Sequence, residues 1–304
     1  MKRFTIMLAA LLSAMTLFAQ GKTVNESLKL RQFNSVDISH VWNVQVRYGS
    51  RQSVTLSYSE ELKPYIIAEV KNGELELSFD GDALNRKLRN RMNHVGYNNG
   101  EGTYIMEAVI TSPDLESIEA SGAVNITCDG KFSADEFSVD LSGAANMSDL
   151  QVAASRLNLE VSGAGKLHVP FVEATDCDLD FSGAASVTID ENIRNVKTDF
   201  SGACNVTMTG KYGHFNLDAS GAGDIKLKGT AETLAVDASG ACNIRARELN
   251  CSDAFVSGSG ASIISVNPSN SISIDISGAT SLSYPKAVSA KIISVSRGCD
   301  MDTF

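Results

Sequence analysis

The tripeptide Ser-Gly-Ala recurs nine times in this 304-residue chain, and this repeat constrains the fold more than any other feature. A unit of about 20 residues cannot bury its own apolar side, so successive units must stack on one another. Ser296-Arg297-Gly298-Cys299 follows the ninth copy and is interpreted as a degraded tenth copy. The nine serines are Ser121, Ser142, Ser162, Ser182, Ser201, Ser220, Ser239, Ser259 and Ser277.

The residues around each serine alternate between apolar and polar, which is the pattern of a half-buried β-strand. Each copy therefore predicts a strand, a tight turn at Gly-Ala, a second strand and a short polar return. The expected fold is all-β: a right-handed parallel β-helix (solenoid) of about 19–21-residue coils with Ser-Gly-Ala turns. Two sheets per coil are expected, and an additional short strand in the return is an open alternative.

Glycine is expected at the corner because it adopts positive φ without steric cost. The alanine that follows is expected to face inward where two sheets converge, together with the small residue after it. The structural turn glycines are Gly122, Gly143, Gly163, Gly183, Gly202, Gly221, Gly240, Gly260 and Gly278.

The chain divides into three parts by pattern. Residues 1–20 are expected to be a signal peptide, because Lys2 and Arg3 precede an apolar run that is too short to span a bilayer. Residues 21–115 are predicted to form irregular N-terminal β coils and a cap, and residues 116–304 the regular β-helix repeats. No later stretch is long and apolar enough to predict a transmembrane segment.

Three local features interrupt the N-terminal part. Ser59 to Ile66 predicts a short helical turn, and the single tryptophan, Trp42, is expected to pack in the cap rather than to act as a sugar platform. A basic insertion at residues 81–102 is expected to be an exposed loop or a short helix, with a binding site or a contact for acidic residues of a neighbouring molecule as the alternatives. Its basic residues are Arg86, Lys87, Arg89 and Arg91.

The charge of the chain restricts its partners. Removal of residues 1–20 leaves 24 basic and 36 acidic residues, a formal charge of −12. Such acidity argues against nucleic acid and anionic membranes, and it fits cations or a basic partner.

Acidic residues also form a column in the repeat, two positions before the serine, where alternation directs side chains outward. Stacking would place neighbouring carboxylates about 4.8 Å apart, with a repulsion of roughly 1 kcal/mol per pair in bulk water. The column is either a binding ladder for divalent cations or a cationic partner, or a structural feature whose carboxylates accept hydrogen bonds from adjacent coils. Its members are Glu119, Asp140, Glu160, Asp180, Asp199, Asp218, Asp237 and Asp275, and Ser257 replaces the acid in one copy.

A second column lies four residues after the serine and is predicted to form stacked amides, which are structural. It contains Asn125, Asn146, Asn205 and Asn243.

The six cysteines are expected to contribute to packing more than to crosslinking. Cys204 and Cys242 both follow Ser-Gly-Ala directly, so they occupy one column two coils apart, about 9.6 Å and too far for a disulfide. Cys299 falls in the same column. The pairing of Cys128, Cys177 and Cys251 is left open.

Catalytic motifs are absent from the sequence. The four histidines are scattered, and there is no Ser/His/Asp spacing, paired-cysteine metal motif or phosphate-binding glycine loop. No catalytic residue, metal site or cofactor is expected.

The pattern Ser-Gly-Ala-x-Asn-Ile, at Ser121 to Ile126 and at Ser239 to Ile244, resembles the bacterial family called putative auto-transporter adhesin, head GIN domain. The resemblance covers the whole mature chain. It implies a right-handed parallel β-helix shaped like pectin lyases but lacking their catalytic residues. It also implies a role in cell adhesion for secreted proteins of Gram-negative bacteria.

Three functions follow as hypotheses. The first is a non-catalytic, exported interaction protein of the cell envelope, an adhesin with a protein or glycan partner and a homo-oligomer as one option. The second is a periplasmic envelope module that binds cationic peptides or divalent cations through the acidic column. The third is a polysaccharide-active enzyme on a β-helix scaffold, which the missing cleft and acid-base cluster disfavour. The expected location is the periplasm, the outer-membrane surface or the extracellular space.

Overall fold

A computed structural model describes residues 22–84 and 104–304 of the chain. In that part the chain forms strands and one short 3-10 helix, η1 (Glu60–Tyr65). The strands of the N-terminal part are β1 (Thr23–Leu28), β2 (Ser35–Tyr48), β3 (Ser53–Ser59), β4 (Ile66–Lys71), β5 (Glu74–Phe79) and β6 (Met106–Ser112). The strands of the repeats are β7 (Ser117–Asp129), β8 (Lys131–Leu141), β9 (Asn146–Ser148), β10 (Gln151–Val161), β11 (Lys166–Phe181), β12 (Ser186–Phe200), β13 (Asn205–Ala219), β14 (Asp224–Ala238), β15 (Asn243–Gly258), β16 (Ile263–Ile276), β17 (Ser281–Tyr284), β18 (Ser289–Val295) and β19 (Asp300–Thr303).

The repeats stack as a parallel β-solenoid. From β10 to β16 each strand pairs in parallel with the next, and partners lie one repeat apart. For example, Phe181 lies opposite Phe200. The predicted solenoid is confirmed. Its right hand stays a prediction from the handedness of parallel crossovers.

The polar return is a strand and not a loop. Strands β12 and β13 each run for 15 residues from one Ser-Gly-Ala corner to the next. The direction changes within the strand near Arg194, where the buried Ile193 and Val196 are three residues apart instead of two. An extended chain can bend here while most of its residues stay paired with the adjacent coils, so the return remains part of the β-sheet.

The apolar columns form one continuous core through the coils. The three apolar positions around each serine are buried, and two of their rings, Phe181 and Phe200, stack with centroids 5.2 Å apart. The expectation for the Ser-Gly-Ala alanines is wrong, because Ala144, Ala184 and the other seven are exposed. The glycine has positive φ and turns the chain, so the alanine points outward and the residue after it points into the core.

Antiparallel strands cover the N-terminal end of the solenoid. Strand β3 pairs antiparallel with β1 and β6, and β4 pairs antiparallel with β5. The side chains of Tyr58, Leu62 and Trp42 are buried there. The predicted helical turn is present as η1, and Trp42 packs inside the end of the solenoid as expected.

A further copy of the repeat begins the solenoid. Strand β2 pairs in parallel with β7, so Ser39-His40-Val41 lies on Ser121-Gly122-Ala123. His40 takes the glycine's place with φ 79. Its Cβ is tolerated because β5 and β6 pair with β2 only on either side of this corner.

Two expectations concern residues that lie outside the described part of the chain. They are the signal peptide at residues 1–20 and the basic side chains Arg86, Lys87, Arg89 and Arg91 of the insertion.

Candidate functional site

The acidic column follows from strand alternation and parallel register. The position two before each serine lies between two buried positions and points outward, so all eight carboxylates are exposed. The register places each directly opposite the next, as in Asp180, Asp199 and Asp218, except that Ser257 stands between Asp237 and Asp275. We call this column the acidic ladder: Glu119, Asp140, Glu160, Asp180, Asp199, Asp218, Asp237 and Asp275.

The acidic ladder continues into the N-terminal coils. Asp37 lies opposite Glu119 on one side and opposite Glu76 on the other. Sequence reasoning missed both residues, because His40-Val41 disguises the copy of the repeat to which Asp37 belongs. The spacing Asp37, Ser39 and Asn43 repeats that of Glu119, Ser121 and Asn125 and would have revealed it.

Residues 22–84 and 104–304 provide no partner for the carboxylates of the acidic ladder. In the described part of the chain, none of the eight makes a side-chain hydrogen bond or an ion pair. Glu76 differs, because its carboxylate lies 3.0 Å from the Lys71 ammonium. The structural interpretation required hydrogen bonds from adjacent coils, and residues 22–84 and 104–304 supply none to the eight.

Proximity and partial burial disfavour the charged form in several coils. The Asp140 carboxylate is the main cause that raises the pKa of Glu160, with burial and Asp180 adding to it. Burial is the main cause for Glu119 and Asp218, and neighbouring carboxylates raise both pKa values further. The pKa of Asp37 is raised by burial and then by Glu74 and Glu76. These carboxylates would gain from a cation beside them.

An apolar groove lies where the acidic ladder is interrupted. At Ser257 the acid is missing, and the neighbouring outward position holds Phe255, which is 52% exposed. A shallow cavity of about 470 Å³ runs over this surface from Lys197 to Ile293. Its lining includes Asp218, Asp237 and Asp275 together with Phe255 and Ile293. The groove therefore offers an aromatic ring and an aliphatic side chain bordered by carboxylates.

The described residues contain no group of three or more His, Cys, Asp or Glu side chains arranged to hold a metal ion. The ladder is a line of single carboxylates, whereas calcium takes six to eight oxygen ligands. The geometry thus fits a series of separate cationic groups better than a coordinated ion.

The asparagine column forms an amide ladder only where asparagines are adjacent. Asn146 Nδ2 donates to Asn125 Oδ1 at 3.0 Å, and Asn125 Nδ2 donates to Asn43 Oδ1 at 3.1 Å. Farther along, Asn243 donates to Asp224 at 3.5 Å, and Asp224 also accepts from Arg245. These bonds link coils and support a structural role.

All six cysteines are free thiols. Cys128, Cys177, Cys204, Cys242 and Cys251 are buried, and burial raises the pKa of each. Burial raises the pKa of Cys128 to about 12 and that of Cys251 to about 11. The five thiols therefore pack as small core residues in the neutral form.

One buried acid was not foreseen. Glu191 is 4% exposed and lies in the polar return shortly before the bend near Arg194, opposite Val172 and Gly210 in the adjacent coils. Burial raises its pKa to about 8, although the nearby Tyr212 hydroxyl lowers it in part. No well-formed hydrogen bond joins the two side chains, and both carboxylate oxygens lack a partner. The missing side chain at Gly210 leaves space for this carboxyl within the core.

A second cavity, of about 590 Å³, lies beside the N-terminal strands. Its charged lining residues are Arg51 and Asp114. The nearest approach of a histidine to an acid in the described residues is His168 Nδ1 to Asp149 Oδ1 at 3.6 Å, on the exposed surface away from both cavities. Within the described chain no helix is long and apolar enough to cross a membrane.

Comparison with known proteins places the chain among adhesin-like proteins. The model of the family described as putative auto-transporter adhesin, head GIN domain, matches residues 32–170 and 172–286. No curated protein matches the chain. A putative adhesin from Parabacteroides distasonis is 17% identical with a TM-score of 0.53, over 94% of this chain and 98% of that one. A putative adhesin from Parabacteroides merdae is 15% identical with a TM-score of 0.42, over 95% and 98% of the two chains. At these identities the first structure supports the solenoid fold, and the second carries no argument.

Proposed function

Because the chain belongs to the putative auto-transporter adhesin, head GIN domain family, we propose that it is a non-catalytic interaction protein of the cell envelope whose acidic face binds a cationic partner. The family is adhesin-like, which agrees with an exported or surface location. The observation that carries the proposal is the row of exposed carboxylates, which have no partner among the residues that the structure describes.

The chemistry of the face selects the partner. Carboxylates about 4.8 Å apart repel one another, and a line of ammonium or guanidinium groups relieves that repulsion in every coil at once. The groove beside Phe255 adds apolar contact for the aliphatic stem of a lysine or arginine. A basic protein segment meets both requirements, whereas a neutral glycan meets only the second.

A titration tests the proposal. We expect a lysine-rich peptide to bind with saturable heat that weakens as salt rises, and a peptide with glutamine in place of lysine to give no heat. Joint substitution of Asp180, Asp199, Asp218 and Asp237 by asparagine should weaken binding at least about tenfold. The matched control changes the same number of exposed acids outside the ladder: Glu107, Asp114, Asp135 and Glu232. An equal loss of peptide binding in both variants would show that binding depends only on the net charge of the protein, and it would refute a site on the ladder.

The second candidate is a periplasmic module for cationic peptides, and the same unpaired carboxylates favour it. It differs in location and not in chemistry. Protease treatment of intact cells distinguishes the two, because a surface adhesin is digested and a periplasmic protein is protected.

The proposal is non-catalytic because the acids of the ladder form a regular column in which successive carboxylates have similar surroundings. A retaining or inverting glycosidase needs two carboxyl groups with different environments on either side of a bound sugar. Cleavage of any polymer in a panel of uronic-acid polysaccharides would overturn this part of the proposal.

A further inference from the structure

The last coil of the described solenoid exposes side chains at positions that are buried in the other coils. Strands β18 and β19 form the last coil, and every residue in both is exposed. Three of these residues continue buried core columns: Ile292 lies opposite Ile274, Val295 opposite Ile276 and Met301 opposite Leu282. The preceding members are fully buried, whereas Ile292 is 54% exposed and Met301 37%.

The backbone at this end is also unsatisfied on one side. Strand β18 pairs with β16 and β19 pairs with β17, and neither has another partner within the described chain. An unpaired strand edge beside exposed core side chains is a template for another chain. The opposite end also has strand edges, since β1 and β4 each pair with a single strand, but its apolar side chains Val24, Leu28 and Ile66 are partly buried against the core.

We propose that the C-terminal coil is a dimerisation surface, on which a second copy of this chain docks end to end through its own β18 and β19. A partner that fits this surface must present two strand edges that are as far apart as β18 and β19, with apolar side chains between the two edges. The same coil of a second copy has this form, and a two-fold axis perpendicular to the solenoid pairs each edge antiparallel with its counterpart.

The charges of the end are compatible with self-association. The last coil holds three basic residues, Lys286, Lys291 and Arg297, against two acids, Asp300 and Asp302, although the chain as a whole is strongly acidic. The acidic ladder also stops before the junction, because the residue opposite Asp275 in the last coil is Ser294. Two copies can therefore meet without placing carboxylates of the two ladders against each other.

The geometry limits the assembly to two copies. Because the N-terminal end is covered by antiparallel strands, a third copy finds no open coil on which to stack, so the contact closes as a dimer and does not extend into a filament. Strands β18 and β19 contribute seven and four residues, fewer than the 20–30 of a standard interface. The dimer should therefore depend on concentration in an accessible range.

Sedimentation velocity over a concentration series tests this inference. We expect the purified protein to shift from monomer to dimer, and Ile292→Glu with Met301→Glu to remain monomeric at every concentration. Both side chains are exposed in the monomer, so the variant should keep its circular dichroism spectrum and melting temperature at low concentration. Ile263→Glu is the matched control, since Ile263 is 58% exposed on the flank of the solenoid and should leave the dimer intact.

Hydrogen exchange gives a second readout on the unmodified protein. Amides of β18 and β19 should become protected as concentration rises, while those of β1 stay unchanged. A protein that is monomeric up to its solubility limit, a dimer that survives the double substitution, or growth beyond a dimer would each overturn the proposal. The acidic ladder plays no part in this contact, so failure here leaves the peptide-binding test unaffected.

Discussion

Each corner glycine is constrained by its backbone and by its neighbours. Gly202 has φ 85, and a Cβ on it would lie 2.5 Å from the carbonyl oxygen of Gly183 in the preceding coil. Positive φ is a property that sequence reasoning could anticipate from the Ser-Gly-Ala turn. The contact between stacked glycines depends on the register of the coils, so only the structure shows it.

Substitution of a corner glycine should therefore be costly. We expect Gly202→Ala to destabilise the protein by at least about 2 kcal/mol, because left-handed backbone alone costs an alanine about 1–2 kcal/mol and the clash adds to it. Gly81→Ala is the control, since in the described part of the chain no atom lies within 4 Å of its added Cβ, and Gly81 is not among the glycines with positive φ. Urea unfolding of both variants measures the difference, and equal midpoints would contradict the corner's role.

Glu191 should make stability depend on pH. Its pKa is raised from 4.5 in the unfolded chain to about 8 in the folded protein. The folded state therefore holds its proton more tightly, so the stability that is fully present below pH 4.5 is lost as pH rises through 8. The gap corresponds to a free energy on the order of 5 kcal/mol.

The variant Glu191→Gln removes this titration. We expect its melting temperature to exceed that of the wild type above pH 8 and to fall less between pH 5 and 9. Thermal unfolding across that range provides the measurement. Parallel pH profiles for the two proteins would show that Glu191 is ionised or solvated in the folded state.

Within the strands, most of the structure could be predicted from the alternation of apolar and polar residues and from the spacing of the repeats. The buried positions around each serine, the outward acids and the 3-10 turn at Glu60–Tyr65 could all be predicted. A strand in the polar return could be predicted only as an alternative, because the apolar alternation shifts by one residue at the bend near Arg194. The missed copy at Ser39 has a related cause, since it lacks the glycine that marks the others.

The amide ladder stabilises the stacked strands through hydrogen bonds between identical side chains. Asn125 both donates to Asn43 and accepts from Asn146, so Asn125→Ala should cost about 1 kcal/mol through two lost hydrogen bonds. Asn205 occupies the same column without an amide neighbour, so Asn205→Ala should cost less. Urea unfolding compares the two, and an equal loss would mean that the amide bonds contribute nothing.

For the whole molecule, the repeat alone predicted a stacked parallel solenoid, because a unit of about 20 residues has no other way to bury its apolar side. The ends of the molecule were harder to predict. A cap follows from the need to cover the first coil, but its antiparallel pairing depends on contacts distant in sequence, such as those of β3 with β1 and β6. The open C-terminal coil could be recognised only from exposure of residues that continue the core columns.

The acidic ladder is the feature on which the functional account depends, and its energetics separate a binding surface from a structural one. Unpaired carboxylates in a line oppose folding, whereas carboxylates that join coils support it. Substituting Asp180, Asp199, Asp218 and Asp237 by asparagine removes the charges and keeps the size of the side chains.

The measurement is urea unfolding of this variant and the wild type, at low and at high salt. We expect the variant to be at least as stable as the wild type, with a gain below about 1 kcal/mol per substitution that shrinks as salt screens the repulsion. A variant that unfolds at lower urea than the wild type at both salt concentrations would show that the ladder holds the coils together, and would contradict its assignment as a binding surface.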